Sequence, residues 1–226
     1  MKDVMESYGV PHTEVFGLLA NLQPVGFNHI VVPHDRIVAT PAVFPIHVEK
    51  STRLRPALRG PVRFVVDANV GRLAGLLRML GFDTSYSFEH DDAALAEISF
   101  QESRIVLTRD RGLLKRSAVI HGRLLRANDP WDQLGETVRA YGLTPPWALF
   151  SRCLRCNALL ERTTKSHVIH RLLPKTKRYY NDFSLCPRCD ALYWPGSHFD
   201  AMLERLQRYG LIERTKGTES FFIKNT

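Results

Sequence analysis

The chain's four cysteines stand in two pairs, Cys153-Leu-Arg-Cys156 and Cys186-Pro-Arg-Cys189. A CxxC turn offers two thiolates to one ion, and two such turns complete the tetrahedral shell of Zn²⁺. Four-cysteine zinc modules commonly place ~15–20 residues between pairs. Here 29 residues intervene, so a hairpin or loop must be inserted. Four thiolates leave no open coordination position, so such an ion organises fold and does not catalyse. The alternatives are two disulfides or free thiols. A cytoplasmic chain disfavours the first, and no leftover cysteine supports the second. His167, His170 and His198 serve as ligands only if a cysteine is missing from the site.

The second set of chemistry-bearing residues is acidic. Asp67 directly follows the apolar run Phe64-Val65-Val66. Asp91 and Asp92 precede a helical stretch, and Asp110 closes Leu107-Thr108-Arg109-Asp110. Oxygen ligands of this kind suit Mg²⁺ or Mn²⁺. Such ions activate water and stabilise the leaving oxygen of a phosphodiester. Other readings stay open. Asp91 or Asp92 can cap the helix that follows, and Asp110 can do the same for the next one. Asp129 and Asp132 read as surface or cap residues. Asp67 has no such alternative, because an acid ending a buried strand needs a partner. Asn69 is a candidate ligand or a support behind the ligands. Arg109 can touch phosphate or pair with the acids.

The elements that must position these acids alternate strand with helix. Residues 62–66 read as a buried parallel strand. Leu73, Leu76, Leu77 and Leu80 recur at helical spacing, and Gly81 ends that helix. Phe82 to Ser87 reads as a second strand, and Asp92 to Glu102 as a helix with Leu95, Ile98 and Phe100 inward. Ile105 to Thr108 is the cleanest strand. Arg111 to Lys115 reads as a short helix, and Ala118 to His121 and Leu124 to Ala127 as two further strands. Pro130 opens a helix to Tyr141. This alternation predicts an α/β fold, a parallel sheet with helices on both faces. In such sheets ligands bind beyond the carboxyl ends of the strands. Asp67, Asp92 and Asp110 all fall at that edge. Carboxylates packed together repel, and a cation relieves the conflict.

Charge is unevenly placed. The net +8 is concentrated in residues 50–63 and 151–226, while residues 1–49 and 64–150 are slightly acidic. The basic stretch around Arg53, Arg55 and Arg59 has no apolar period and reads as an exposed, extended tether. Between the cysteine pairs, Lys175, Lys177, Arg178 and Tyr179 join cations to aromatic rings, a mixture suited to single-stranded nucleic acid. With Arg109 and Arg111 they form the expected RNA-binding set. The alternative is a solvated loop whose tyrosines cover the zinc site. No apolar run reaches the ~18 residues of a membrane span. The start MKDVMESYGV has no apolar signal core, so the chain reads as cytoplasmic.

The segments FVVDANVGRLAGLLRMLGFDT, DDAALAE, RIVLTRDRGLL, CLRCN and CPRCDALYWPGSH, in this order over residues 62–200, resemble the PIN-like ribonuclease family of the mutator-seven exonuclease C-terminal domain (Mut7-C RNase). The resemblance implies a PIN-like nuclease core, an appended zinc ribbon and metal-dependent RNA cleavage. Its catalytic and metal-holding acids fall on Asp67, Asp92 and Asp110, and Asn69 is retained as a further metal contact; Asp91 joins the expected metal set from its place beside Asp92 at the same edge. Members of that family often carry Glu after the first Asp, and this chain has Ala68.

GVPHTEVFGLLANLQPVGF and HDRIVATP resemble the ubiquitin-like (β-grasp) domain that often precedes this nuclease, entered at its helix without the first hairpin. Here Asp3 to Tyr8 ends a helix, stopped by Gly9 and Pro11. Glu14 to Leu19, His29 to Val32 and Ile37 to Ala39 read as strands, with a turn near Asn21 to Pro24. No Gly-Gly pair stands near Pro41, which argues against a sulfur-carrier role. Docking of a protein partner or an architectural role is the default for this segment. The expected organisation is a partial ubiquitin-like domain at 1–48, a basic linker at 49–61 and the nuclease domain at 62–147. A zinc ribbon with a closing helix follows at 148–213, then a flexible tail at 214–226. The expected activity is hydrolysis of RNA phosphodiesters. A non-catalytic RNA-binding or ribosome-associated adaptor and a protein-docking module are the competing readings.

Overall fold

A computed structural model describes residues 1–213. The expectation of a loose tail at 214–226 lies outside the described residues. Internal contacts divide the chain into two units. The first joins Met1–Ala74 to Thr84–Leu143, and the second joins Gly75–Asp83 to the described residues from Thr144 onward.

The first unit opens with α1 (Lys2–Ser7) and a three-residue helical turn at His12–Glu14, followed by β1 (Gly17–Ala20), β2 (Gln23–Pro24) and β3 (Ile37–Thr40). These strands form an antiparallel sheet in the order β2-β1-β3. Met5, Val15 and Leu18 are its buried centre, with Val10, Phe27, Ile37 and Leu54 packed around them. His29 to Val32, expected as a strand, forms no ladder. Asp35 ties that stretch down as a turn, its carboxylate accepting from the Val32 N–H, the Asn21 amide and the His29 ring.

The basic stretch is not a free tether. The Arg55 guanidinium donates to the carbonyls of His12, Thr13 and Val15 and lies 4.4 Å from the Phe16 ring centroid. Leu58 is buried and its N–H donates to the Val48 carbonyl at 2.7 Å. A cation that meets three carbonyls gains more as a strut than as a solvated charge.

The α/β core then runs β4 (Phe64–Val66), α2 (Arg72–Met79), β5 (Thr84–Ser85), α3 (Asp92–Gln101), β6 (Ile105–Thr108), α4 (Arg111–Lys115), β7 (Gly122–Leu124) and α5 (Pro130–Tyr141). The sheet order is β5-β4-β6-β7, and every pairing is parallel. Phe64, Val65, Val66, Ile105, Val106 and Leu107 are all fully buried, as strands covered on both faces must be. Val65 and Val106 pack with Leu95 and Ala96 of α3 and Leu113 and Leu114 of α4. Phe64, pointing the other way, meets Tyr141 of α5. Alternate residues of the central strands thus bury against helices on opposite faces.

Three acids cap three helices of this core. Asp91 accepts from the Ala94 N–H, Asp110 from the Gly112 N–H and Asp129 from the Trp131 N–H. Gly142, at φ 57°, supplies the left-handed turn that ends α5. Two expectations fail here. Phe100 is exposed, because α3 ends within a residue of it and its inward face is already filled by Leu95, Ala96 and Ser99. One strand, β7, replaces the two expected at Ala118 to His121 and Leu124 to Ala127. Its Gly122 lets the strand lie close against α4, since a Cβ there would meet Leu114 Cδ2 at 2.5 Å.

The N-terminal sheet is anchored to the core within this unit. His12 bonds Glu6 Oε1 through Nδ1 and the Val119 carbonyl through Nε2, both at 2.8 Å. Glu14 accepts from Arg123 Nη1 and from the Leu124 N–H of β7.

The second unit contains β8 (Glu161–Thr163), α6 (Lys165–Val168), α7 (Pro174–Tyr179), β9 (Phe183–Leu185), β10 (Leu192–Tyr193) and α8 (Ser197–Arg208). Its sheet is antiparallel in the order β10-β9-β8. The insertion between the cysteine pairs is therefore not a plain hairpin or loop. It holds two short helices over a small core of Val168, Leu172 and Phe183. Among the described residues no helix is long and apolar enough to cross a membrane.

Candidate functional site

The acid rim is built from three strand ends. β4 carries Asp67, the loop after β5 carries Asp91 and Asp92, and the turn after β6 carries Asp110. The parallel register aligns Val66 with Leu107, so both strands leave the sheet at the same edge. Asp67 is buried, with 8% exposure. Its Oδ2 accepts from the Thr108 hydroxyl at 2.5 Å and from the Asn69 amide at 2.6 Å. Asp67 Oδ1 carries no such bond. Thr108 Oγ1 in turn accepts from the Asp110 N–H at 2.8 Å and from Asn69 Nδ2 at 3.3 Å.

Asn69 is fully occupied as a brace. Its Oδ1 accepts from the Arg109 N–H at 3.1 Å while its amide holds Asp67 and Thr108. This places Asn69 behind the acids, in support of them. Asp110 is exposed and spends one oxygen on its cap bond. Asp91 likewise commits Oδ1 to capping α3.

Asp92 registers the convergence. Burial raises its carboxyl above the ordinary carboxylate value, and the charge of Asp110 adds to that, followed by those of Asp67 and Asp91. Only Arg116 opposes this rise; its Nε stands 3.9 Å from Asp92 Oδ2, both side chains being well exposed. No described arginine or lysine forms an ion pair with Asp67 or Asp110. Arg109 and Arg111 are exposed beside the rim.

Thr108 is the residue the sequence reading passed over. It is fully buried and joins Asp67 to Asp110. The available signal was a hydroxyl ending an apolar strand two residues before an acid.

The cysteines form the tighter cluster. Their four sulfurs lie within 4.8 Å of one another. Cys153 stands 3.5 Å from Cys189, and Cys156 stands 3.3 Å from Cys186. These are far beyond a bonded S–S length of about 2.05 Å, so the disulfide reading falls. Among the described residues this is the one group of three or more metal-ligating side chains drawn close enough to hold a single ion; the carboxylates of the rim are spread wider.

Without an ion the surroundings divide the thiols: burial pushes Cys156 up to about 12 and Cys189 up as well, while Cys153 goes the other way. Burial pushes the Cys153 thiol up, but bonds from the Tyr193 hydroxyl, the knuckle N–H groups and Cys189 outweigh it and hold it at about 6. Tyr193 lies 3.2 Å from Cys153 Sγ. Arg78, buried at 3% exposure, donates through Nη1 to the carbonyls of Leu154 and Arg155 in the first knuckle. His167, His170 and His198 are not in the cluster.

A family model described as Mut7-C RNAse domain matches residues 62–206, and one described as Mut7-C ubiquitin matches residues 1–47. The chain belongs to the Mut7-C RNAse domain family. No curated protein and no solved structure matches it. The Mut7-C match spans both the acid rim and the cysteine cluster, so both sites lie inside one family domain. In this Mut7-C chain the expected basic surface between the cysteine pairs is exposed at Lys175, Lys177, Arg178 and Tyr179, with Arg178 placed 5.4 Å over the Tyr179 ring. Arg171 is drawn out of that surface by two bonds to Asp190.

Proposed function

We propose that this protein is a metal-dependent ribonuclease that hydrolyses RNA phosphodiester bonds at the Asp67–Asp92–Asp110 rim. The observation that carries this reading is the shared strand edge: Val66 stands level with Leu107, the Thr108 hydroxyl joins Asp67 to the Asp110 N–H, and the charges of Asp110 and Asp67 help raise the Asp92 carboxyl. Such crowding costs free energy unless a cation offsets it. The hard oxygen donors of Asp67, Asp92 and Asp110 fit Mg²⁺ or Mn²⁺. An ion bound there supplies Lewis acidity and lowers the pKa of water. Asp67 offers Oδ1, since Thr108 and Asn69 saturate Oδ2. Asp110 offers the oxygen not used in its cap. Asp92 enters as the ionised form that a cation favours. Arg109 and Arg111 meet the phosphates on either side and offset charge that develops at phosphorus.

Zn²⁺ is the ion that four thiolates select. The ribbon it shapes adds a sequence-independent RNA contact through Lys175, Lys177, Arg178 and Tyr179. Four reduced, metal-poised thiols fit a cytoplasmic setting. Ala68, where the family often has Glu, favours one catalytic ion over two.

A second reading, a non-catalytic RNA-binding adaptor, draws support from the same Ala68 and from the wide spread of the rim carboxylates. Purified protein is incubated with labelled single-stranded and structured RNAs, with and without Mn²⁺, beside Asp67→Asn and Asp110→Asn. Cutting by wild type alone, with RNA binding kept in both variants, supports the nuclease. Binding with no cutting supports the adaptor.

A further inference from the structure

A cleft of about 320 Å³ lies beside the acid rim, and Asn69 belongs to both. Its other lining residues include Gly71, Arg72, Tyr86, Asn128 and Gln133. These come from the turn after β4, the loop after β5 and the start of α5, so the cleft sits at the same end of the sheet as the acids.

Its chemistry is unspent. Arg72 is exposed at the first position of α2, with no acidic residue in that turn. A cation at a helix N-terminus is placed against the helix dipole, so this position is not explained by helix stability. Gly71 lets Tyr86 close down on the backbone; a Cβ there would meet the phenol ring at 2.7 Å and its hydroxyl at 2.6 Å. The ring is thereby fixed as a wall of the cleft. Asn128 is exposed on the cleft wall. Gln133 is buried at 3% exposure, and its amide nitrogen donates to the Ala127 carbonyl at 3.1 Å, which fixes which end is oxygen. Its Oε1 is then a buried acceptor with no donor. Such an acceptor is costly to leave unmet.

A free cation, a braced aromatic ring, an exposed amide and one unmet amide oxygen match the phosphate, base and ribose of one nucleotide. We propose that this cleft is a subsite for a single unpaired nucleotide of the RNA strand, adjacent to the phosphodiester that is cut. Tyr86 stacks the base, Arg72 holds the flanking phosphate, and Asn128 with Gln133 meets donors and acceptors of the base edge or ribose. The inference rests on the ribonuclease reading and names the part of the substrate that its site selects.

The test uses the full-length chain. Anisotropy of a fluorescein-labelled single-stranded oligoribonucleotide is measured on an Asp67→Asn background, and cleavage of the same RNA is measured with Asp67 intact. Tyr86→Leu is expected to weaken binding about tenfold and to raise KM more than it lowers kcat. Tyr86→Phe keeps the ring and is expected to bind like the parent. Arg72→Gln is expected to weaken binding and to lower the slope of log affinity against log salt by about one. Arg72 is exposed, so this variant keeps the test open should Tyr86→Leu fold poorly. If the parent binds and cuts while Tyr86→Leu and Arg72→Gln match it, the subsite is wrong and the ribonuclease stands. If the parent neither binds nor cuts RNA, the ribonuclease reading fails and the subsite falls with it.

Discussion

The Thr108 hydroxyl donates to Asp67 Oδ2 at 2.5 Å and accepts from the Asp110 N–H at 2.8 Å. One buried oxygen therefore sets the distance between the acids of two neighbouring strands. It also fixes which oxygen of Asp67 remains free.

Replacing Thr108 by Val keeps the volume and removes that oxygen. Asp67 loses a donor at a buried position, and the partly buried Asp110 N–H loses its acceptor. The expected loss is about 1–3 kcal/mol of stability, together with weaker Mn²⁺ binding. Thr108→Ser is expected to restore both. Denaturant melts and Mn²⁺ titration check this, and a Thr108→Val protein with unchanged metal affinity would show that the hydroxyl does not position the rim.

Asp92 ties stability to pH. Burial, with Asp110 and Asp67, raises its carboxyl above the ordinary 3.8. The folded chain then holds this proton more tightly than the unfolded chain. Stability without added cation therefore falls as pH rises from that value through the raised one. Asp92→Asn removes the repulsion. Melting temperature at neutral pH is expected to rise slightly without divalent cation, while RNA cutting is lost. A lower melting temperature in this variant would mean that the rim is not strained.

Arg78 supports the cysteine cluster from behind. Its bonds to the Leu154 and Arg155 carbonyls hold the first knuckle, and its charge faces Cys153 and Cys156. Supports of this kind tune metal sites by about 10–100-fold in affinity. Arg78→Gln is expected to weaken zinc retention by that order in a chelator competition, whereas Cys186→Ser removes the ion. Metal analysis of the untreated protein is expected to give one zinc per chain.

Arg55 and Lys177 separate structural from binding cations. Arg55 is a strut against three carbonyls. Arg55→Gln is expected to cost about 1–3 kcal/mol of stability, with the salt dependence of RNA binding unchanged. Lys177→Gln is expected to leave stability alone and to lower the salt slope by about one. Melts and anisotropy at several salt concentrations distinguish them.

Periodicity and spacing carried a large share of the design. The β-branched run Val65-Val66, the leucines at 73, 76, 77 and 80, and Ile105 to Leu107 each announce a buried element, because burial on a fixed period is a local property. The CxxC pairs announce their cluster because the turn itself brings sulfurs together. His29 to Val32 misled because Asp35, not a partner strand, satisfies its backbone. Phe100 misled because the period alone cannot say where a helix stops meeting the core.

What the sequence settled by itself was which segments form elements and which residue types stand at their ends. Hydrophobic spacing and metal-binding turns are written within a few neighbouring residues. The tertiary structure alone decided which ends meet. The parallel pairing of β4 with β6 brings Thr108 beneath Asp67 and leaves Asp92 within reach of both charges. Docking of the linker made Arg55 a strut, and the closure of Tyr86 over Gly71 made a cleft. Electrostatic and hydrogen-bond partners are chosen across dozens of residues of chain, and no local pattern encodes that choice.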